Sequence, residues 1–446
     1  VERVLALGAI SALMFLFIKR VPVPLETAGA TATLSFGFLI ISAYLMADLL
    51  SRLRLPKITG YILAGMLFGP SLTGLLTREV VAELRLVDDL ALTFIAFAAG
   101  GELRLELLRK SLRSVLSSLL GITLVTFSGV TLVLVLARDW FPFTAGRGIG
   151  ESVAIAAICG AISVARSPSS AIAIISETRS RGTFTRIMLG VTVAMDVLAI
   201  FVFAITVSVT EAVLTPGRSL NVTFLLGILG SVGASVVAGL LLGKVVAFYL
   251  TRVRAQLTFF TLGVAFLVTQ LSHGLALALE AGWGVQFTLE PMLICITAGF
   301  IVQNYSKHGV GFLKIVDRSS LPIYAIFFAL SGASLHLSVL RSTWHWALGL
   351  LGLRALFIYL GCWTGHRAAG DPAAFRRVAG LAYLTQAGVS LGLVKVLIST
   401  FPTFGPAIAT LLVAVITLNQ VIGPVGLKFA LTHVGETWET RRTARS

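Results

Sequence analysis

Long apolar stretches, separated by short clusters rich in Arg, Lys, Gly and Pro, follow one another along nearly the whole chain. A helix needs roughly 17–25 apolar residues to cross the hydrocarbon core of a bilayer, and shorter runs count where Gly or Pro interrupts them. On that test the pattern predicts fourteen membrane segments: 4–18, 33–50, 58–75, 87–102, 115–136, 153–176, 187–210, 224–250, 257–277, 291–305, 321–337, 344–365, 378–399 and 407–431. Strands of a membrane barrel would alternate polar and apolar positions over about ten residues, which these runs do not. The expected fold class is an all-α polytopic membrane protein. The first segment is short, and a signal peptide is its alternative reading; KRVPVPLE after it is a poor cleavage region, so a helix is expected. Val1 is not an initiator Met, which suggests a processed or trimmed start.

Two pairs of segments resemble each other across the chain. ITGYILAGMLFGP matches PMLICITAGFIVQN in its central Ala-Gly, with Gly65 and Gly299 separated by 234 residues. AICGAISVARSPSSAIAII and LAYLTQAGVSLGLVKVL each interrupt an apolar helix with small and polar residues, and Ser167 and Gly388 lie 221 residues apart. One connecting helix, 224–250, would give the two halves opposite topologies. Paired interrupted helices in inverted repeats point to a transporter's substrate site at the bilayer midplane. Small residues also serve close helix packing alone, but the Pro168 break, the charge at Arg166 and the repeat symmetry favour the transporter reading.

Composition agrees. Of 446 residues, 57% are hydrophobic and 12% charged, with a mean hydropathy of +0.94, against about 25% charged in a soluble domain. The net charge of +15 suggests nucleic acid or a membrane-facing cytoplasmic surface, and this hydropathy selects the second. No nucleic-acid partner is expected. Cys159, Cys295 and Cys362 lie inside apolar runs, as packing residues rather than a disulfide framework. With the N-terminus inside, 24 Lys and Arg fall in cytoplasmic segments, 8 on the opposite side and 3 within spans, an excess that predicts two cytoplasmic termini.

Nearly all acidic residues lie in loops or at span ends, and Asp196 is the exception, near the middle of the seventh segment. A charge there costs several kcal/mol unless paired, hydrated or protonated, so an intramembrane carboxyl is functional by default. Such a group can hold either a proton or a cation, which suffices for antiport. The basic residues within spans are Arg166, Arg354 and Lys395. Lys395 can snorkel to the interface. Arg354 reads as a structural counter-charge, to Asp196 or to the helix C-terminal ends at the crossing, and Arg166 is expected to pair with Asp196 when no ion is bound. Arg does not give up its proton, so neither arginine carries one. His273 could relay protons but reads as interfacial.

These residues resemble the monovalent cation:proton antiporter family, the sodium/proton exchanger-like proteins, in the branch of bacterial potassium-efflux and sodium/proton antiporters. The likeness runs over 33–431. LRLPKITGYILAGMLFGP resembles the family's second core helix, GGELRLELLRKS its Gly-x-Glu-Leu element, PSSAIAII its first broken helix, PIYAIFFALSGASLHL a late helix and LTQAGVSLGL its second broken helix. The resemblance implies an inverted-repeat antiporter fold with two crossing broken helices, thirteen core helices and here one extra N-terminal helix. It also implies a homodimer, an elevator-like alternation of access, and an ion-binding aspartate at Asp196. Ser167, Ser169 and Ser170 become candidate ion ligands; Arg166, Met195, Thr385 and Gln386 become candidate crossover and gating residues. Met195 stands where other branches carry Asn, Asp or Gln, leaving one carboxyl where electrogenic relatives have two. The nucleotide-binding regulatory domain of potassium-efflux relatives is not expected after residue 431.

The chain is therefore expected to form one transmembrane domain: an extra helix at 4–18, repeats at 33–210 and 257–431, a linker at 224–250 and a tail at 432–446. Its expected function is electroneutral exchange of Na+ or K+ for protons in the inner or plasma membrane, without enzymatic chemistry, cofactor or resident metal. Rival readings are a transporter of anions or small organic solutes with Arg166 as ligand, and a non-transporting membrane sensor or assembly partner.

Overall fold

A computed structural model of the chain describes residues 2–20, 28–214, 222–253, 257–283, 289–307, 309–335 and 337–443, and all secondary structure among them is helical. The first half holds α1 (Glu2–Arg20), α2 (Ala28–Ser51), α3 (Lys57–Phe68), α4 (Arg78–Glu83), α5 (Arg85–Glu102), α6 (Leu105–Lys110), α7 (Leu112–Leu136), α8 (Ile149–Val164), α9 (Pro168–Thr178) and α10 (Thr183–Leu214). After α11 (Val222–Arg252) come α12 (Leu257–Trp283), α13 (Pro291–Tyr305), α14 (Gly309–Ala333), α15 (Leu337–Ala369), α16 (Ala373–Ala382), α17 (Gly388–Thr400), α18 (Gly405–His433) and α19 (Trp438–Thr443). Lipid offers no partner for backbone N–H and C=O groups, so an apolar chain of this kind must satisfy them within helices. By length and composition, eight spans among the described residues, one of them α8 and α9 taken together, could cross a membrane, and five shorter apolar helices accompany them.

Each predicted segment overlaps a helix or, at 153–176 and 378–399, two half-helices, although α3 stops at Phe68, seven residues short of the predicted end at 75. The main difference is α14, which begins at Gly309 rather than near residue 321 and carries Pro322 inside it. Pro322 reads locally as a helix start, because proline suits the first turn; the helix instead runs through it, and Lys314 and Arg318 belong to a helix rather than a loop. The short helices α4, α6 and α19 are too polar for a test based on apolar runs. Of the basic residues used for orientation, Arg218, Arg254 and Arg445 lie outside the described residues.

The helices pack as two bundles. One contains α2, α3, α5, α12, α13 and α14; the other contains α7, the split helices α8/α9 and α16/α17, α10, α15 and α18. The long α11 lies along α13 and touches α10, joining the two. In the first bundle Gly65 of α3 leaves no room for a methyl group against the Ala329 carbonyl of α14, and Gly299 of α13 leaves none against the Phe97 carbonyl of α5. The repeat-related glycines thus make repeat-related close approaches, as small residues at membrane helix contacts do. On α7, Leu116, Leu120, Leu124 and Leu132 are exposed, while Val115, Ser118, Ile122 and Thr126 are buried. One stripe faces lipid and the other faces the bundle.

Candidate functional site

Pro168 decides where the first split helix breaks. It cannot continue α8 with a backbone donor, but it suits the first turn of a new helix. Ser167 caps α9: its Oγ accepts the Ser170 N–H at 3.3 Å and lies 3.0 Å from the Oγ atoms of both Ser169 and Ser170. In the second split helix the chain leaves α16 at Tyr383 and resumes at Gly388. Each break leaves carbonyls at the end of its first half without intrahelical donors.

Three side chains supply those donors. Arg354, from the middle of α15, donates through Nε to Ser163 O at 3.0 Å, through Nη2 to Ala165 O at 3.0 Å and through Nη1 to Leu384 O at 2.9 Å. Its guanidinium therefore ties the end of α8 to the second break. Arg166 donates through Nη1 to the same two carbonyls, Ser163 O at 3.0 Å and Ala165 O at 3.1 Å. Gln386, in the second break, donates to Ile162 O at 2.9 Å and accepts from Asn419 of α18 at 3.0 Å. Both arginines are 0% exposed. Helix C-terminal ends carry about −0.5 elementary charge each, so the two ends at the crossing offset much of the charge that the arginines bring.

Asp196 sits on α10, the helix that packs against both halves of the first split helix and touches both halves of the second. It is 8% exposed, and its Oδ1 is buried without a hydrogen-bond partner. No ion pair joins it to Arg166 or Arg354, and no hydrogen bond joins it to the serine cluster of α9. Arg166 faces the carbonyls of its own break, with Nε and Nη2 unpartnered. Met195 turns toward α7, where its sulfur accepts from Thr123 Oγ1 at 3.3 Å. Thr385 is buried beneath Gly423 of α18, and Lys395 is exposed.

Three carboxylates to which sequence reading gave no role bear on the helices of this region. Glu290, immediately before α13, lies close enough for its charge to act on Asp196, and its N–H donates to Ser235 Oγ of α11 at 2.9 Å. The Glu-Pro pair at the start of a membrane segment was the available signal. Glu177, at the end of α9, accepts the Lys57 N–H of α3 at 2.9 and 3.1 Å and lies 3.6 Å from Lys428 Nζ of α18. Lys428 also donates to Leu55 O at 3.3 Å. Together they form a polar clasp between the two bundles. Glu436, beyond α18, caps α10 from a distance, accepting Phe184 N–H at 2.8 Å, Thr185 N–H at 2.7 Å and Thr185 Oγ1 at 2.6 Å.

A buried carboxyl on the helix that packs against both split helices, with an oxygen that no hydrogen bond satisfies, suits a hard monovalent cation or a proton, since such cations take oxygen ligands. Comparison with known proteins agrees in class. Residues 37–433 match the transmembrane sodium/hydrogen exchanger family. Among curated proteins, Cation/H(+) antiporter 18 of Arabidopsis thaliana is 27% identical over 222 residues, 48% of this chain but only 26% of that protein. The structure of the sodium proton antiporter MjNhaP1 from Methanocaldococcus jannaschii at pH 8 superposes with a TM-score of 0.65 at 16% identity, covering 90% of this chain and 98% of that one. An electron-microscopy structure of the same antiporter gives a TM-score of 0.68 at 18% identity, over 90% and 95% of the two chains. The fold is that of MjNhaP1.

Proposed function

The chain belongs to the sodium/hydrogen exchanger family, and we propose that it exchanges one monovalent cation, Na+ or K+, for one proton at Asp196. The observation that carries this reading is a carboxyl buried in the bundle with an oxygen that no other group satisfies. A buried charge of this kind is costly unless something neutralises it. A proton or a cation can do so, and the two exclude each other, so each ligand leaves when the other arrives. Cooperation between the Ser167, Ser169 and Ser170 hydroxyls and the carboxyl would complete the cation's oxygen shell as the two bundles move.

Electroneutral exchange follows if Asp196 alone changes ligand and Glu290 keeps one charge state through the cycle. Whichever ligand it carries, the loaded Asp196 is neutral, and Met195, turned toward α7, adds no second charge. Arg166 and Arg354 stay with the helix ends they cap and contribute equally to both half-cycles. Alternation of access requires the bundle holding Asp196 to shift against the other, which opens the clasp of Glu177 and Lys428 on the turn before α3. Homodimerisation and cytoplasmic termini belong to this proposal.

The test is a proteoliposome assay with an internal pH dye, stepping external Na+, K+, Li+ and no cation, on wild type and Asp196→Asn. The amide keeps the size of the side chain but can neither titrate nor neutralise a cation. Coupled proton movement should disappear while the protein stays folded. Wild-type rates in the variant would refute the assignment of Asp196. Replacing chloride by gluconate separates the anion reading, in which transport would follow chloride.

A further inference from the structure

Away from the crossing, two adjoining cavities open at the end of the molecule expected to face the cytoplasm. The larger, about 650 Å³, is lined by Arg104, Arg109, Lys110, Glu106, Gln303 and Asn304. The narrower, about 230 Å³, lies between the α5–α6 turn of one bundle and the α9–α10 turn of the other; Arg104, Arg181, Arg186, Ser180, Thr185 and Glu102 line it. Arg104 lines both, which makes them two lobes of one groove. We propose that this groove binds a phosphate-bearing anion, with the phosphate in the narrower cavity between Arg104, Arg181 and Arg186.

Charge and unmet hydrogen bonding support it. Three guanidinium groups line the narrow cavity, whose one lining carboxylate is Glu102; Glu436 lies behind the lining and is already held by Phe184 and Thr185, and none of the three arginines is in an ion pair among the described residues. Arg186 donates through Nη2 to Thr183 Oγ1 at 2.9 Å, but its Nε is buried with no partner. A buried donor left unsatisfied is costly, and an anion placed there would supply the acceptor. Arginine's planar fork matches phosphate oxygens two at a time, better than it matches a monatomic anion. In size, the wider cavity falls within the roughly 300–1,000 Å³ of small-molecule sites, and the narrower one accommodates a compact group such as phosphate. A transported cation gains nothing from this lining.

Phosphate can come from the headgroup of an anionic lipid or from a soluble phosphate ester, and basic pockets at the cytoplasmic ends of membrane helices suit lipid headgroups. Either would bridge the end of α5, in one bundle, and the start of α10, in the other, because Arg104 follows α5 within two residues while Arg181 and Arg186 flank the first turn of α10. A bound anion is therefore expected to hold the bundles together and slow exchange. That effect rests on the proposed function; the binding does not.

The experiment measures thermal stability of the full chain in phosphatidylcholine nanodiscs, first titrated with inorganic pyrophosphate, then with phosphatidylglycerol added to the bilayer instead. A ligand that binds only the folded protein raises Tm with concentration. A rise with pyrophosphate identifies a soluble phosphate ester, and a rise only with phosphatidylglycerol identifies a headgroup. In whichever arm responds, Arg181→Gln/Arg186→Gln should weaken apparent affinity by about tenfold or more, given the strength of charge-assisted hydrogen bonds. Arg104→Gln, at an exposed position, should weaken it as well and serves if the double variant does not fold; Arg104→Lys should recover part of the loss. No rise in either arm overturns the proposal. Equal rises in wild type and Arg104→Gln overturn it too, because the anion would then act elsewhere.

Discussion

Replacing Arg166 and Arg354 by methionine, singly and together, tests how two buried cations hold the helix crossing. Arg354→Met removes the donor to Leu384 O but leaves Ser163 O and Ala165 O bonded to Arg166. One orphaned buried carbonyl costs about 1–3 kcal/mol. Arg166→Met orphans no acceptor, since Arg354 still serves both carbonyls, and it removes two partnerless nitrogens. It should cost less than Arg354→Met. In the double variant Ser163 O and Ala165 O both lose their last side-chain donor, so the loss should exceed the sum of the single losses by at least about 2 kcal/mol, taking the lower bound for each carbonyl. Repulsion between the guanidinium groups acts in the same direction: either single change relieves it, and the second cannot relieve it again. An attractive pair gives the opposite result, a double loss smaller than the sum. Equilibrium unfolding of the four proteins by denaturant in detergent micelles completes the cycle. Additivity within about 0.5 kcal/mol, or a smaller double loss, would show that the arginines do not share these acceptors in solution.

Other consequences follow from the remaining charges. Exchange in vesicles should run at the same rate over a range of imposed membrane potentials, and a steep dependence would show that a charge beyond Asp196 and its ligand moves. Glu177→Gln removes the charge that holds Lys428 and one of two acceptors for the Lys57 N–H; hydrogen exchange at the start of α3 should quicken by about tenfold, equivalent to about 1.4 kcal/mol. Unchanged exchange there would mean that the clasp does not restrain the bundles. Asp371, in the turn after α15, is subject to burial, which opposes its charge, but hydrogen bonds from His366 and Ser114 outweigh that effect and hold its carboxyl below the usual carboxylate range. Because its pKa is depressed in the folded protein, its stabilisation is complete above the unfolded value near ~3.9 and is lost as pH falls through the lower folded value. Thermal stability should thus fall less steeply below about pH 4 in Asp371→Asn than in wild type, and identical acid slopes would refute the role given to the pair.

The sequence by itself determined the helical membrane class, the position of nearly every membrane helix and the location of both breaks. These depend on properties that each segment carries alone: apolar length against bilayer thickness, the missing donor of Pro168, and the isolation of Asp196 among apolar neighbours. Where local signals conflicted, at Pro322 within α14, the boundary moved by about three turns, because a longer helix outweighs one lost hydrogen bond when the rest of the helix is packed. Only the tertiary structure decided what the charged side chains do. The pairing of Arg166 with Asp196 is plausible in one dimension, since both lie near mid-depth, yet the guanidinium turns back to carbonyls that the Pro168 break left open. Arg354 finds Ser163 across 191 residues, Glu177 finds Lys57 across 120 and Glu436 finds Thr185 across 251. A buried polar group takes the partner that chain topology brings within about 3 Å, and spacing along the sequence carries no information about that distance until the bundles are packed.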